Sequence, residues 1–173
     1  MADKFQTFNG SPNYKNYKFV SWDNYAIGKG EELIGTEGVS CCLAITLYNP
    51  QNKTGILAHI SMMDCSPEEL KPERVIDTLL KQLNISRELD YKKLEATLAG
   101  EGSVLIESER NSPIVRTRIK NYEIPIIGED LCEAPERFVF LNCDTGKVEV
   151  YRADDKIVEQ KANLSLYQNA RHH

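Results

Sequence analysis

Two short apolar runs joined by a polar loop constrain the fold of this chain more than any other feature. Residues 43–48 and 54–60 are rich in apolar and β-branched side chains, and residues 49–52 between them read Asn-Pro-Gln-Asn. Apolar runs of this length, bounded by turn residues, are typical of strands, and the short loop is typical of a hairpin. We therefore predict a β-hairpin that is buried on both faces over part of its length.

The rest of the chain predicts helices and strands around this hairpin. Helices are expected over 66–84 and 112–121, because each segment begins with Ser-Pro and then repeats apolar residues at helical spacing. The first start also has the spacing of a capping box. Strands are expected around 94–98, 124–127, 138–142 and 148–151. This order predicts the α+β class, as a single-domain α/β sandwich with a mostly antiparallel mixed sheet and two main helices.

Length and composition bound the organisation of the chain. With 173 residues it is long enough for one domain with a substantial core. Residues 1–24 are polar with scattered aromatics and are predicted to be an N-terminal extension that is partly disordered or wraps the domain. Residues 25–152 form the predicted domain, and 153–173 a polar C-terminal tail.

The same composition argues against several classes of protein. Five cysteines without regular spacing, no signal peptide and no apolar run near 18 residues predict reduced thiols in a cytoplasmic protein without membrane insertion. A net charge of -5 argues against nucleic acid as a partner. No C-x-x-C pair or glycine-rich phosphate loop is present, so neither a metal nor a cofactor is expected.

The hairpin brings a thiol and an imidazole towards each other. A loop of residues 49–52 would pair Tyr48 with Lys53, so that facing positions sum to 101 and Cys42 lies opposite His59. A slip of one residue would place Cys41 on the face of His59 instead, because side chains alternate along a strand. His172 and His173 end the chain, where order is not expected, so His59 is the candidate base.

Two interpretations of this pair stay open on the residues alone. Cysteine is among the most buried residue types, and a cysteine in a strand is more often a small core residue than a nucleophile. In the other interpretation, a neighbouring imidazolium lowers the pKa of the thiol and makes it a nucleophile.

The residues around the hairpin resemble the chemoreceptor glutamine deamidase (CheD) family. Residues 35–42 read GTEGVSCC, with Thr36 six residues before Cys42 and His59 seventeen after it, which are the spacings of that family's threonine, cysteine and histidine. The likeness covers roughly residues 25–152 and continues through KLEATLAG (93–100), SERN (108–111), EIPIIGED (123–130) and ERFVFLNCDTGKVEVYR (136–152). Three features depart from the family pattern: Ser40-Cys41 replaces Gly-Ser, residues 131–135 are not glycine-rich, and the N-terminal extension is additional.

The resemblance implies an enzyme that converts glutamine side chains of a protein substrate to glutamate through a thioester. Cys42 would be the nucleophile, His59 the acid and base, Thr36 the residue that orients the imidazole, and the backbone of Ser40 and Cys41 the oxyanion site. It also implies chemoreceptors as substrates, a chemotaxis phosphatase as partner and the bacterial cytoplasm as location. Ser61, Asp64 and residues 109–111 are expected to be structural or to contact substrate.

Two alternatives remain at this point. The first is a deamidase of the same fold that acts on another protein, including a host protein if the chain is a translocated effector. The second is a non-catalytic protein-binding module in which the three residues have no chemical role.

Overall fold

A computed structural model gives the fold and describes residues 3–61, 65–86, 88–104, 106, 109–131 and 136–153. Three predicted features lie outside the described residues: Asp64, residues 132–135 of the divergent loop, and the tail from residue 154 onward with His172 and His173. The strands, in chain order, are β1 (Phe5–Asn9), β2 (Lys18–Phe19), β3 (Asn24–Lys29), β4 (Leu33–Thr36), β5 (Leu43–Asn49), β6 (Thr54–Ile60), β7 (Glu95–Gly100), β8 (Ile126–Asp130), β9 (Arg137–Asn142) and β10 (Val148–Arg152). The helices are α1 (Val75–Gln82), α2 (Glu88–Tyr91) and α3 (Ser112–Asn121).

The strands form two five-stranded mixed sheets. The first has the order β3-β6-β5-β7-β8 and contains the predicted hairpin at its centre, while the second has the order β1-β10-β9-β4-β2. Only the pairs β7–β8, β1–β10 and β2–β4 are parallel. The predicted α+β class is therefore confirmed, with the strands divided between two sheets.

The hairpin strands separate two apolar cores. Leu43, Ile45 and Leu47 point to one face of the first sheet and pack with apolar residues of α1 and α3. Ala44 and Tyr48 point to the other face and pack against the second sheet. Because successive strand residues alternate between faces, a run that is apolar at every position can fill both cores. The layers are thus helices, first sheet and second sheet.

A buried ion cluster joins the two sheets beyond these cores. The Asp130 carboxylate on β8 accepts bonds from the Arg137 Nε at 3.1 Å and from the Arg152 Nε at 3.0 Å, and both arginines belong to the second sheet. The Asp130 and Arg137 side chains have no solvent exposure. Removing one member of such a buried cluster costs about 3–5 kcal/mol, since the remaining charge is left uncompensated. The cluster therefore fixes how the sheets meet.

The first predicted helix is wrong at its start. Residues 68–70 form a single 3₁₀ turn, and α1 begins only at Val75. Lys71 has an extended ψ of 148°, because a residue that precedes proline is pushed away from helical geometry. The Ser66 hydroxyl donates to Asp23 at 2.6 Å. The second predicted helix begins at Ser112 and ends at Asn121, as expected.

The described part of the N-terminal segment contributes to the second sheet. β1 runs parallel to β10, and β2 runs parallel to β4. The chain then turns through Asp23 and enters the first sheet as β3, next to β6. Residues 5–29 consequently bridge the edges of both sheets.

Gly100 ends β7 at the point where the backbone of Cys42 passes. Its φ is +141°, and a Cβ at this position would lie 2.1 Å from the carbonyl oxygen of Cys42. The next N–H, that of Glu101, donates to the same carbonyl at 2.9 Å. A residue without a side chain is therefore required for the backbone to hold Cys42 from this side.

Gly100→Ala should destabilise the protein by about 2–4 kcal/mol, since it adds both an unfavourable backbone conformation and a backbone clash. Gly30 is a matched control, because its φ is +60° but a Cβ there would meet nothing within 4 Å. Gly30→Ala should cost only about 1 kcal/mol. Urea unfolding of both variants measures the difference, and equal losses would contradict the predicted clash.

Candidate active site

Thr36, Cys42 and His59 lie at the ends of three strands that come from both sheets. Thr36 is the last residue of β4 in the second sheet, Cys42 immediately precedes β5, and His59 is the penultimate residue of β6. All three are buried, and the Cys42 side chain retains 8% exposure. The predicted residues therefore lie at one edge of the layer between the sheets.

The register of the hairpin differs from the predicted one. Leu43 pairs with Ile60 and Ala44 with His59, so that facing positions sum to 103, and the predicted sum of 101 is wrong. The reason is that Asn49 continues β5 and pairs with Thr54, which moves the loop to residues 50–53. Lys53 closes this loop with a φ of +51°.

The register differs from the predicted one by two positions, and an even difference leaves Cys42 and His59 on the same face of the hairpin. Alternation along the strands keeps Cys42 on the face of His59, now as its diagonal neighbour. Continuing the register places Ser61 directly opposite Cys42. Cys41 also packs against the core that contains Cys42, because both residues precede β5 and are not bound by its alternation.

Hydrogen bonds at Thr36 fix the tautomer of His59. The Thr36 Oγ1 donates its proton to the carbonyl oxygen of Val20 at 2.7 Å. The same oxygen lies 2.7 Å from the His59 Nδ1. A hydroxyl has a single proton, so Nδ1 must carry a hydrogen and donate it to Thr36. The neutral imidazole therefore presents the lone pair of Nε2.

Nε2 is the reactive nitrogen that this arrangement leaves available. It is buried and has no hydrogen-bond partner among the described residues. Burial lowers the pKa of His59 to about 4, although the nearby Asp23 carboxylate raises it. His59 is therefore neutral at pH 7 and able to accept a proton at Nε2.

The Cys42 thiol is also neutral in this site. Burial, together with the neighbouring Cys41 thiol and the Asp23 carboxylate, raises the pKa of Cys42 to about 12, while a hydrogen bond with Ser61 lowers it. The thiolate–imidazolium pair considered from the sequence is thus disfavoured in the free protein. A neutral thiol beside a neutral base is the arrangement of general-base activation, as in serine hydrolases.

Two buried or partly buried carboxylates that the sequence does not single out belong to residues next to the site, Asp23 and Glu101. Asp23 accepts hydrogen bonds from the N–H and the hydroxyl of Ser61, at 2.9 and 2.8 Å. Glu101 accepts from the N–H groups of Asn111 and Ser112, at 2.5 and 2.9 Å, and so caps α3. Both residues have a positive φ, of 51° and 58°. No periodicity reveals them, because each depends on a turn that joins distant strands.

The loop before Cys42 is held to its surroundings by backbone and side-chain bonds. The Ser40 N–H donates to the carbonyl of Gly38 at 3.0 Å, and the Ser40 Oγ lies 2.9 Å from the Ser103 Oγ. Within the described residues, the N–H groups of Cys41 and Cys42 donate to no backbone or side-chain acceptor. These two N–H groups are therefore the donors that an oxyanion could use.

A cleft of about 400 Å³ opens beside this loop. Glu37 and Gly38 line one side of it, and Phe19 and Trp22 line the other. The two aromatic side chains are 58% and 68% exposed, which is high for residues of this type. Exposed aromatic residues are enriched at protein interfaces.

The described residues contain neither a cluster of metal-binding side chains nor a helix that could span a membrane. No three His, Cys, Asp or Glu side chains in them converge as a metal ion would require. None of the helices in the described part of the chain has both the length and the apolar character needed to cross a membrane.

Comparisons with known proteins identify relatives of the chain. The family model described as "CheD chemotactic sensory transduction" matches residues 73–152, a range that begins after Thr36, Cys42 and His59. The chemoreceptor glutamine deamidase CheD of Thermotoga maritima is 31% identical over 140 residues, covering 76% of this chain and 88% of that protein. The probable chemoreceptor glutamine deamidase CheD of Pyrococcus abyssi is 32% identical, covering 75% of this chain and 87% of that protein. The probable chemoreceptor glutamine deamidase CheD of Methanosarcina barkeri is also 32% identical, covering 75% of this chain and 94% of that protein.

Removing the Thr36 hydroxyl should destabilise the protein. Thr36→Val leaves the His59 N–H and the Val20 carbonyl without a partner, which costs about 1–3 kcal/mol for each buried group. Thr36→Ser keeps both hydrogen bonds and should cost only about 1 kcal/mol for the lost methyl group. Urea unfolding measures both free energies, and equal stability of the two variants would contradict the assigned hydrogen bonds.

The neutral state of the thiol predicts a characteristic pH dependence. Alkylation by iodoacetamide requires the thiolate, so the rate at Cys42 should rise about tenfold per pH unit from pH 7 to 10 without a plateau, given its pKa of about 12. Mass spectrometry of the peptide in a Cys41→Ser background measures the rate, with the exposed Cys65 as internal reference. A plateau near neutral pH would indicate a thiolate–imidazolium pair instead.

Proposed function

We infer that this chain, which belongs to the CheD family, is a cysteine-dependent protein-glutamine deamidase that acts on chemoreceptors. The observation that carries this proposal is the Thr36 hydroxyl, which accepts a hydrogen bond from the Nδ1–H of His59 and leaves Nε2 as a base on the face of Cys42. The names of the relatives supply the reaction and the substrate class.

The first half of the reaction forms a thioester. His59 Nε2 takes the proton from the Cys42 thiol as the sulfur attacks the carboxamide carbon of a glutamine side chain. The carbonyl oxygen becomes an oxyanion, and the imidazolium on His59 then transfers its proton to the leaving nitrogen. The C–N bond breaks, ammonia leaves, and the substrate remains bound to sulfur as an acyl group.

The second half releases glutamate. His59 Nε2 takes a proton from a water molecule while the water oxygen attacks the thioester carbon. The tetrahedral intermediate collapses, the C–S bond breaks, and the sulfur regains the proton held by His59. Thr36 keeps the imidazole in the same tautomer throughout, as the third member of a catalytic triad does.

The backbone around the nucleophile would stabilise both oxyanions. The N–H groups of Cys41 and Cys42 are the best candidates, since the Ser40 N–H already donates to Gly38. Each such donor is worth about 2.7–4 kcal/mol at the transition state in the enzymes where it has been removed. In this proposal Cys41 contributes its backbone rather than its sulfur.

The substrate protein would dock on the cleft beside the nucleophile loop. Phe19 and Trp22 expose apolar surface there, and Gly38 links the cleft to the loop that carries Cys42. A chemotaxis phosphatase as regulatory partner and a location in the cytoplasm complete the proposal, both from the family likeness.

The departures at Ser40-Cys41 and in residues 131–135 support a second candidate, in which the same chemistry is directed at a different protein. Both candidates require Cys42 as nucleophile. They differ in the substrate alone, whereas a binding module without chemistry requires no nucleophile.

Incubation with the cytoplasmic segment of a chemoreceptor should convert glutamine side chains to glutamate. Cys42→Ser should lower the rate by about 10³-fold or more, while Cys41→Ser, as matched control, should keep most of it. Intact mass and peptide mapping of the substrate measure the conversion. Loss of turnover in Cys41→Ser but not in Cys42→Ser would overturn the assignment of the nucleophile, and no conversion of any receptor segment would favour another substrate or a binding module.

A further inference from the structure

Asp23 holds a carboxylate at the same sheet edge as Cys42 and His59. It directly precedes Asn24, which pairs with His59 across β3 and β6. Its oxygens accept bonds from the Ser61 N–H at 2.9 Å, the Ser61 hydroxyl at 2.8 Å and the Ser66 hydroxyl at 2.6 Å. Since Ser61 follows His59 by two residues and faces Cys42, the carboxylate lies beside both reacting groups.

The backbone of Asp23 adopts an unusual conformation. Its φ of 51° lies in the left-handed region, which non-glycine residues seldom adopt and which costs free energy. At this turn the chain leaves the second sheet, and the Asp23 side chain reaches the end of β6, where it accepts the three hydrogen bonds from Ser61 and Ser66. A strained residue whose polar group is fully bonded at a reactive site is a candidate for a functional role.

Asp23 is ionised at neutral pH. Burial raises the pKa of its carboxyl, but the hydrogen bonds from Ser66 and Ser61 outweigh this effect, so that the pKa is lowered overall. A negative charge is therefore fixed near His59 before any reaction begins.

The other described groups around His59 supply no such charge to it. Thr36 is neutral, and the Cys42 thiol is protonated because its pKa is raised to about 12. Glu101 directs its Oε1 to the N-terminus of α3, where it accepts two N–H bonds. Among the described residues, Asp23 is the charged group that raises the pKa of His59 against the effect of burial.

Proton transfer from Cys42 places a positive charge on a fully buried imidazole. In a Ser-His-Asp triad, the aspartate that binds Nδ1 stabilises this imidazolium. Here Nδ1 is bound by a hydroxyl, which orients the ring but carries no charge. An opposite charge within about 4–6 Å typically shifts the pKa of an ionisable group by about 1–3 in favour of its charged form.

We propose that Asp23 is a positioning residue that stabilises the His59 imidazolium during deamidation, so that orientation and charge come from two residues, Thr36 and Asp23. This inference rests on the proposed function and assigns it a fourth residue. Ser61 takes part by holding the carboxylate through its N–H and its hydroxyl.

Asp23→Asn tests the proposal because it removes the charge and nearly preserves the shape. We expect kcat to fall about tenfold or more, as for the loss of one or more pKa units of stabilisation, with KM changed less than about twofold. Asp144→Asn is the matched charge control, since Asp144 is exposed and lies at the opposite end of β5, near Tyr48.

The titration of His59 by NMR provides a readout that does not depend on turnover. In Asp23→Asn the His59 signal should titrate at a lower pH than in the wild type, whereas Asp144→Asn should leave it nearly unchanged. An unchanged titration in Asp23→Asn, or an equal loss of kcat in Asp144→Asn, would overturn the proposal. A wild-type protein that deamidates no substrate would contradict the proposed function, but the titration would still decide whether Asp23 acts on His59.

Discussion

The structure depends on β5 being hydrogen-bonded on both edges and packed on both faces. β6 and β7 flank it, and its odd and even positions fill separate cores. Such a strand has little freedom to shift or twist, because any movement would disturb two ladders and two cores at once. Cys42 is the residue that immediately precedes it. The nucleophile candidate is therefore attached to a strand that is held on both edges and both faces, and the proposed base lies on the neighbouring strand.

Much of the fold could be predicted from the sequence, since apolar runs and Ser-Pro starts mark local structure. The hairpin, α3 and the closing strands were located within a few residues. The register was wrong by two positions because Asn49 looks like a turn residue but continues β5. The face of Cys42 was nevertheless correct, because an even shift preserves the alternation that places Cys42 and His59 on one side.

Other parts of the site could not be predicted, because they depend on contacts between distant segments. Thr36 comes from the second sheet, and only a likeness in spacing, not a periodicity, pointed to it. Ser66 has the sequence of a helix cap, yet its hydroxyl donates to Asp23, and the following 3₁₀ turn ends at Leu70. The neutral state of Cys42 and His59 follows from burial, which a sequence does not report residue by residue.

The protonated state of Cys42 has a consequence for the durability of the protein in the cell. Peroxides oxidise thiolates much faster than thiols, and low-pKa exposed cysteines are the first to be lost. In the proposed mechanism the buried thiol loses its proton to His59 only as sulfur attacks a bound carboxamide, so it stays in its less reactive form between turnovers. Burial of the nucleophile thus favours a site that withstands oxidative stress while idle, in contrast to hydrolases that keep a permanent thiolate.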